Sequence, residues 1–180
     1  MEKFEEKEIE SKRIFKGRLL GLRVDTVEFS NGKRSTREIV EHPGAVAIVA
    51  ITDDKEIVLV RQYRKATGEI LIEIPAGVPL AGEKGEDAAQ RELEEETGYH
   101  ARKISRLWDG YTSPGYSNEM IHYFLAQDMN RTKQNTDEDE FVEVDLVDIE
   151  TALDLARTGR VKDNKTLIGI MLADKFLKGE

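Results

Sequence analysis

The chain has 180 residues, with 36 acidic and 27 basic side chains and a formal net charge of −9 at pH 7. This length predicts one domain with a hydrophobic core, with room for a small appendage, and the acidic balance argues against nucleic acid or an anionic membrane as the main partner. The absence of cysteine excludes disulfides, thiolate catalysis and cysteine-based zinc sites. Neither a signal-peptide core nor a stretch of 18 apolar residues is found, so we expect a soluble, cytoplasmic protein.

The first 41 residues are expected to form a small, highly charged β-element. Two strands are predicted at residues 22–29 and 34–40, because the Asn31-Gly32 pair between them is typical of a tight hairpin turn. Pro43 and Gly44 interrupt the strand pattern after His42, which indicates a domain boundary near residue 42. The sequence therefore predicts an N-terminal element over residues 1–41 and a main domain over residues 42–180.

The main domain begins with a nearly continuous apolar run at residues 45–51, which suits a strand buried on both faces. Further strands are predicted at residues 56–64, 69–77, 103–107, 120–126 and 141–147. Helices are predicted at residues 86–97, 149–158 and 164–177, and Gly98 is suited to end the first of them. This mixture of hairpins with a strand-to-helix unit indicates an α/β fold, with a mixed sheet covered by helices on both faces.

The last predicted helix carries an apolar stripe that we expect to face the core. Its members are Leu167, Ile168, Met171, Leu172, Lys175 and Phe176.

The helix at residues 86–97 carries a cluster of carboxylates. Glu92, Glu95 and Glu96 stand at positions i, i+3 and i+4 and therefore project from one face of the helix. Three carboxylates on one face are suited to Mg²⁺ or Mn²⁺, which prefer oxygen ligands. Glu94 is expected to point to solvent, and Arg91 is expected to orient a carboxylate.

Arg91 has three candidate partners on the same helix, at the spacing of one turn: Asp87, Glu94 and Glu95. A run of glutamates is often no more than a solvated helix face, and that alternative stays open for the helix alone. The preceding loop, which contains Gly77, Gly82 and Gly85, favours a functional interpretation. A glycine-rich loop entering a helix offers backbone N–H groups and a partial positive charge to a phosphate.

The spacing of this region also matches a known pattern. Gly77, five residues, Glu83, seven residues and then residues 91–99 resemble the Nudix box of the Nudix hydrolases. Tyr99 is the one departure, since the family usually has an aliphatic residue there. The resemblance implies an α/β/α sandwich and metal-dependent hydrolysis of a nucleoside diphosphate linked to another group.

By the same resemblance, two or three Mg²⁺ ions, or Mn²⁺ or another divalent cation, would be held by the three carboxylates and the carbonyl of Ala76. Glu83 would support the loop and the metal ligands rather than act directly.

Residues outside the box resemble those of ADP-ribose pyrophosphatases. The stretch Ser113-Pro114-Gly115-Tyr116-Ser117-Asn118-Glu119 resembles their substrate loop, which implies roles for Pro114, Gly115 and Glu119, although Pro-Gly also forms ordinary turns. Arg64, in a VRQYR stretch, resembles a diphosphate or ribose-phosphate clamp, and Arg37 resembles an N-terminal arginine that reaches the substrate. Either arginine could instead form a surface ion pair.

By the same resemblance, the acidic run at residues 137–140 corresponds to a loop whose glutamate positions or deprotonates water in the enzymes that the chain resembles. Glu138 is the first candidate for this role and Glu140 the second, with a solvated turn as the alternative.

The resemblance implies that a small nucleoside diphosphate sugar is the partner. The expected reaction converts ADP-ribose and water to AMP and ribose 5-phosphate. The enzymes that the chain resembles are homodimers in which the N-terminal β-element reaches the other subunit, so a homodimer is also expected. The alternatives are hydrolysis of GDP-mannose, NADH or a dinucleoside polyphosphate, and binding of ADP-ribose without cleavage.

Overall fold

A computed structural model describes residues 4–136 and 141–179 of the chain. The chain divides into two compact units. The first unit comprises Met1–Gly44 and Tyr111–Met120, and the second comprises Ala45–Gly110 and Ile121–Glu180. The division between residues 1–41 and 42–180 remains a prediction about domains, and it did not anticipate that the 111–120 segment clusters with the N-terminal residues.

The first unit is built on a three-stranded antiparallel sheet in the order β1-β2-β3. These strands are β1 (Lys7–Lys16), β2 (Gly21–Glu28) and β3 (Arg34–Glu41). The predicted hairpin is confirmed, and Gly32 in its turn has a φ of 76°, a value that favours glycine. β1 was not predicted as a strand, because all ten of its residues are exposed and no alternation of burial marks it.

The 111–120 segment is hydrogen-bonded along the end of β3. Val40 donates its N–H to the carbonyl of Tyr116 at 2.8 Å, and Asn118 returns an N–H to the carbonyl of Val40 at 3.3 Å. The side-chain oxygen of Asn118 also accepts the N–H of His42 at 2.8 Å. A loop that is distant in sequence therefore extends the edge of the N-terminal sheet.

The second unit contains two sheets. Its strands are β4 (Ala45–Ala50), β5 (Glu56–Arg64), β6 (Glu69–Glu73), β7 (Ala76–Gly77), β8 (Tyr99–Tyr111), β9 (Met120–Arg131) and β10 (Val142–Asp148). One sheet has the order β7-β4-β9-β8, with β4 parallel to β9 and antiparallel to β7, and the other has the order β10-β5-β6. The strand predicted at residues 69–77 is divided, because the chain leaves one sheet after Glu73 and joins the other at Ala76.

Among its described residues, the second unit has three helices: α1 (Gly85–Thr97), α2 (Ile149–Arg157) and α3 (Asn164–Lys178). The two faces of β4 are buried in two separate cores, as predicted. One core joins Val46, Ile48 and Ala50 of β4 to Ala88, Ala89 and Leu93 of α1. The other joins Ala47 and Val49 to Ala152 of α2 and to Ile170 and Ala173 of α3. The predicted α/β/α sandwich with a mixed sheet is therefore confirmed.

The stripe predicted to be the core face of α3 was partly wrong. Ile168 and Leu172 pack against the core, as expected. Leu167 and Met171 are 39% and 61% exposed, whereas Thr166 and Gly169 are buried. A Cβ on Gly169 would lie 2.7 Å from the end of the Ile74 side chain, so the helix approaches too closely for a larger residue. The buried face of α3 therefore combines small residues, where the helix comes close to Ile74, with the fully buried Ile170.

α1 ends at Gly98, as predicted, with a φ of 67° and an N–H that donates to the carbonyl of Glu94. Within residues 4–136 and 141–179, every helix is too short or too polar to cross a membrane.

Candidate active site

The acidic face of α1 lies over the backbone of β7. The carboxylate of Glu96, a residue only 5% exposed, accepts the N–H of Ala76 at 3.1 Å. A Cβ on Gly77 would lie 2.0 Å from the carboxyl carbon of Glu92, so that carboxylate occupies the space left by the absent side chain. Glu95 is the more exposed carboxylate, with 41% of its side chain accessible. The helix therefore presents Glu92 and Glu96 beside the Ala76–Gly77 backbone, and Glu95 is joined to Glu92 through Arg91.

Arg91 joins these carboxylates to the glycine-rich loop. Its Nε and Nη2 donate to the two oxygens of Glu83, each at 3.0 Å, and Nη2 also donates to the carbonyl of Val78 at 3.2 Å. Its Nη1 donates to Glu92 at 2.7 Å and to Glu95 at 2.9 Å. A single guanidinium thus holds three carboxylates and a loop carbonyl in one arrangement.

The expected partners of Arg91 were partly wrong. Glu95 is a partner, but the other contacts run to Glu83 and Glu92 rather than to Asp87 or Glu94. Glu94 instead bonds to Gln90 and His100. The reason is that the loop before α1 brings Glu83 alongside the helix, and spacing within the helix does not reveal this.

The charges of this network are mutually stabilised. Hydrogen bonds from Arg91 lower the pKa of Glu83 below its ordinary value. The reciprocal bonds from Glu83, followed by those from Glu92 and Glu95, raise the pKa of Arg91 despite the opposing effect of burial. Glu83 also accepts the N–H of Leu80 at 2.8 Å, so it fixes the loop as well as the arginine.

The donor chemistry of this face fits a hard divalent cation, since it consists of carboxylate oxygens beside backbone carbonyls. Among residues 4–136 and 141–179, no three acidic or histidine side chains converge on a common point as they stand. Arg91 accounts for part of this, because its guanidinium is bonded to Glu92 and Glu95.

Arg64 lies in the same unit and is paired with Glu73. Its Nε and Nη2 donate to the two oxygens of Glu73, each at 2.8 Å. This bond raises the pKa of Arg64 against the effect of burial, and the charge of Glu96 adds to the rise. Glu73 ends β6, and the chain then continues to Ala76, whose N–H donates to the carboxylate of Glu96.

The remaining predicted substrate residues belong to the first unit. Arg37 forms an ion pair with Glu6, with its Nε 2.9 Å from a carboxylate oxygen. Pro114 and Gly115 are exposed, and Glu119 accepts the hydroxyl of Thr112 at 2.9 Å. These four residues fall in the same compact unit.

Glu138 and Glu140, the candidates for positioning water, lie outside the described residues. Gln134 and Asn135, which precede them in the chain, are hydrogen-bonded to the end of α1. The side-chain amide of Gln134 donates to the carbonyl of Glu96 at 2.7 Å and to that of Val142 at 3.0 Å, and Asn135 donates its N–H to the carbonyl of Glu95 at 3.1 Å.

Sequence reasoning missed Gln134 and Glu73. Nothing local marks Gln134, because its partners lie 38 and 8 residues away along the chain. Glu73 had a detectable signal: an acidic residue inside the apolar run at residues 70–74 requires a partner if the run is buried.

Known protein families match both the N-terminal residues and the main part of the chain. Residues 41–168 match the NUDIX domain, and residues 6–40 match the nucleoside diphosphate sugar hydrolase N-terminal domain. The chain is 48% identical over 172 residues to an ADP-ribose pyrophosphatase of Bacillus subtilis (strain 168), covering 94% of this chain and 93% of that protein. It is 46% identical over 170 residues to the methanol dehydrogenase activator of Bacillus methanolicus, covering 93% of this chain and 91% of that protein.

A solved structure of a hydrolase has a similar fold. The fold matches a crystal structure of an ADP compounds hydrolase with a TM-score of 0.86 and 27% sequence identity, covering 97% of this chain and 95% of that chain. Nudix hydrolases generally use divalent cations, which agrees with the oxygen donors on α1. The domain match, the relatives and the fold lead to one conclusion: the chain belongs to the Nudix family and is a Nudix hydrolase.

Proposed function

We propose that the protein hydrolyses the diphosphate of ADP-ribose, giving AMP and ribose 5-phosphate. Water adds to one phosphorus atom and the bond from that phosphorus to the bridging oxygen breaks, so each product keeps one phosphate. The observation that carries this proposal is the 48% identity to an ADP-ribose pyrophosphatase over 94% of the chain. The acidic face beside the Ala76–Gly77 backbone supports it as a place where an anionic diphosphate and a cation can meet.

Glu92, Glu95, Glu96 and the carbonyl of Ala76 are the proposed metal ligands. Two or three Mg²⁺ ions, with Mn²⁺ as an alternative, would supply charge neutralisation and Lewis acidity to the diphosphate. Arg91 keeps Glu92 and Glu95 together when the free protein would otherwise experience their mutual repulsion. We assign it a role in catalysis through this positioning.

Substrate contacts are assigned to Arg64 in the second unit and to four residues of the first unit: Arg37, Pro114, Gly115 and Glu119. A guanidinium matches the geometry of phosphate oxygens, which supports the two arginines. Glu138, with Glu140 as the alternative, is proposed to position or deprotonate the attacking water.

The N-terminal element over residues 1–41 is proposed to mediate homodimerisation, with residues 42–180 as the catalytic domain. Support comes from β1, whose ten residues are all exposed in the single chain and include Ile9, Ile14 and Phe15. A strand with one unpaired edge and exposed apolar side chains is suited to a partner. Sedimentation equilibrium measures this directly, and a monomer at micromolar concentration would contradict it.

The activity is tested by product identification after incubation with ADP-ribose and Mg²⁺. AMP and ribose 5-phosphate are expected, and EDTA should abolish their formation. The same assay with GDP-mannose, NADH and a dinucleoside polyphosphate tests the choice of substrate. Preferred cleavage of another compound would overturn ADP-ribose as the substrate, and binding without cleavage of any compound would favour a sensing role.

A second candidate function follows from the relative named as a methanol dehydrogenase activator. If this chain acts in the same way, it should raise the turnover of a methanol dehydrogenase when added to it. A Glu96→Gln variant shows whether such an effect needs the acidic face of α1.

A further inference from the structure

Glu73 is a buried carboxylate that the proposed reaction does not use. It is the last residue of β6 and is 1% exposed. Burying a carboxylate is costly unless cations and hydrogen bonds compensate for the lost hydration. Its partners therefore indicate why the protein retains a glutamate there.

Two cations from different elements meet at Glu73. Arg64, the last residue of β5, bonds to both carboxylate oxygens at 2.8 Å. Lys165, in the first turn of α3, donates to one of the same oxygens and to Asp163. Burial alone would raise the pKa of Glu73, but these bonds outweigh it and the pKa is lowered. The carboxylate is therefore ionised and fixed at neutral pH.

This arrangement leaves part of Arg64 available. A guanidinium has five N–H donors, and the pair with Glu73 uses one from Nε and one from Nη2. The Arg64 side chain is 40% exposed, whereas the Glu73 side chain is 2% exposed. One edge of the guanidinium is thus held by a buried anion while other donors remain for a second acceptor.

We infer that Glu73 is a positioning residue that holds the Arg64 guanidinium in the orientation that binds the diphosphate of the substrate. This inference rests on the proposed function, since it takes Arg64 to be a diphosphate ligand. A residue that merely stabilises the fold would affect unfolding but would not act on substrate binding through Arg64. The two roles therefore differ in a double-mutant cycle.

The test measures kcat and KM for ADP-ribose in the wild type, Glu73→Gln, Arg64→Ala and the double variant, with thermal unfolding of each. Glu73→Gln should raise KM about tenfold, the effect of losing one charge-assisted hydrogen bond, and change kcat less than about threefold. In the Arg64→Ala background, Glu73→Gln should have no further effect on KM. If Glu73→Gln does not fold, Glu73→Asp replaces it in the same cycle.

Asp145→Asn is the matched control. Asp145 forms an equivalent bidentate pair with Arg61, also on β5, at 2.7 and 2.8 Å, but on an exposed surface. Its loss should leave KM unchanged. Equal KM values for a folded Glu73 variant and the wild type, additive effects in the cycle, or a wild-type KM for Arg64→Ala would each overturn the inference.

Failure of the proposed function is recognised separately. The dissociation constant of ADP-ribose is measured by calorimetry in EDTA for the same four proteins. If the wild-type protein binds ADP-ribose but does not cleave it, the hydrolytic function is overturned. The double-mutant cycle of Glu73 and Arg64, measured in dissociation constants, then still decides the role of Glu73. A wild-type protein that neither binds nor cleaves ADP-ribose would overturn both.

Discussion

Replacing Gly98 by alanine tests whether the end of α1 depends on its contact with the segment after β9. Gly98 has a φ of 67°, and a Cβ there would lie 2.8 Å from the backbone nitrogen of Gln134 and 3.3 Å from the carbonyl oxygen of Thr132. Both neighbours are backbone atoms, so they cannot swing aside as a flexible side chain would. The substitution therefore adds a steric cost to the conformational cost.

The two costs can be separated in magnitude. A non-glycine residue in the left-handed region costs about 1–2 kcal/mol. Forcing an extra carbon into a filled site costs about 1–3 kcal/mol, which gives about 2–5 kcal/mol for the whole substitution. For a chain of this size each kcal/mol lowers Tm by about 2–4 °C, so Gly98→Ala should lower Tm by about 4–20 °C.

Gly159→Ala is the matched control. Gly159 follows α2 with a φ of 72°, but an added Cβ would meet no atom within 4 Å. Only the conformational cost applies, so Tm should fall by about 2–8 °C. Differential scanning calorimetry of the two variants measures the difference, and equal decreases in Tm would refute the argument that Gln134 and Thr132 crowd this position.

Three further outcomes are expected. Glu95→Gln and Glu96→Gln should each lower kcat by several orders of magnitude at saturating Mg²⁺, with little change in Tm. Nearly wild-type rates in both variants would contradict metal binding by the acidic face of α1. Thr166→Val should destabilise the protein by about 1–3 kcal/mol in denaturant unfolding, because the buried N–H of Ile74 loses its acceptor at 2.8 Å. The pKa of Glu73 is lowered from its ordinary 4.5, so the unfolded chain binds more protons in acid and stability should fall as the pH drops below that value. Glu73→Gln should flatten this part of the pH–stability curve, and an unchanged slope would contradict the assignment.

Some of the fold could be predicted because its signals are local. β4 is a continuous apolar run, and the chain before β3 turns at a glycine with a positive φ. α1 combines strong helix formers with a glycine at its end, and these preferences agree with its packing. β1 lacked such a signal, because exposed residues show no periodicity and the strand exists only through its hydrogen bonds to β2.

The candidate site likewise has features that the sequence predicts and features that depend on the fold. The spacing of Glu92, Glu95 and Glu96 placed them on one helix face from the sequence alone. The partners of Arg91 could not be obtained from that spacing, because Glu83 reaches it through the fold of a loop. Likewise, Arg64 was recognised as a candidate, but its partner Glu73 was not.

By itself, the sequence determined the Nudix box, the α/β class and the residue types that suit a metal and a diphosphate. These depend on helical periodicity and on the backbone freedom of glycine, which act over a few residues. Only the tertiary structure decided which carboxylate Arg64 holds, which face of α3 is buried and how Gln134 meets α1. Such choices depend on close packing and on satisfying buried polar groups, and both bring together residues that are far apart in the chain.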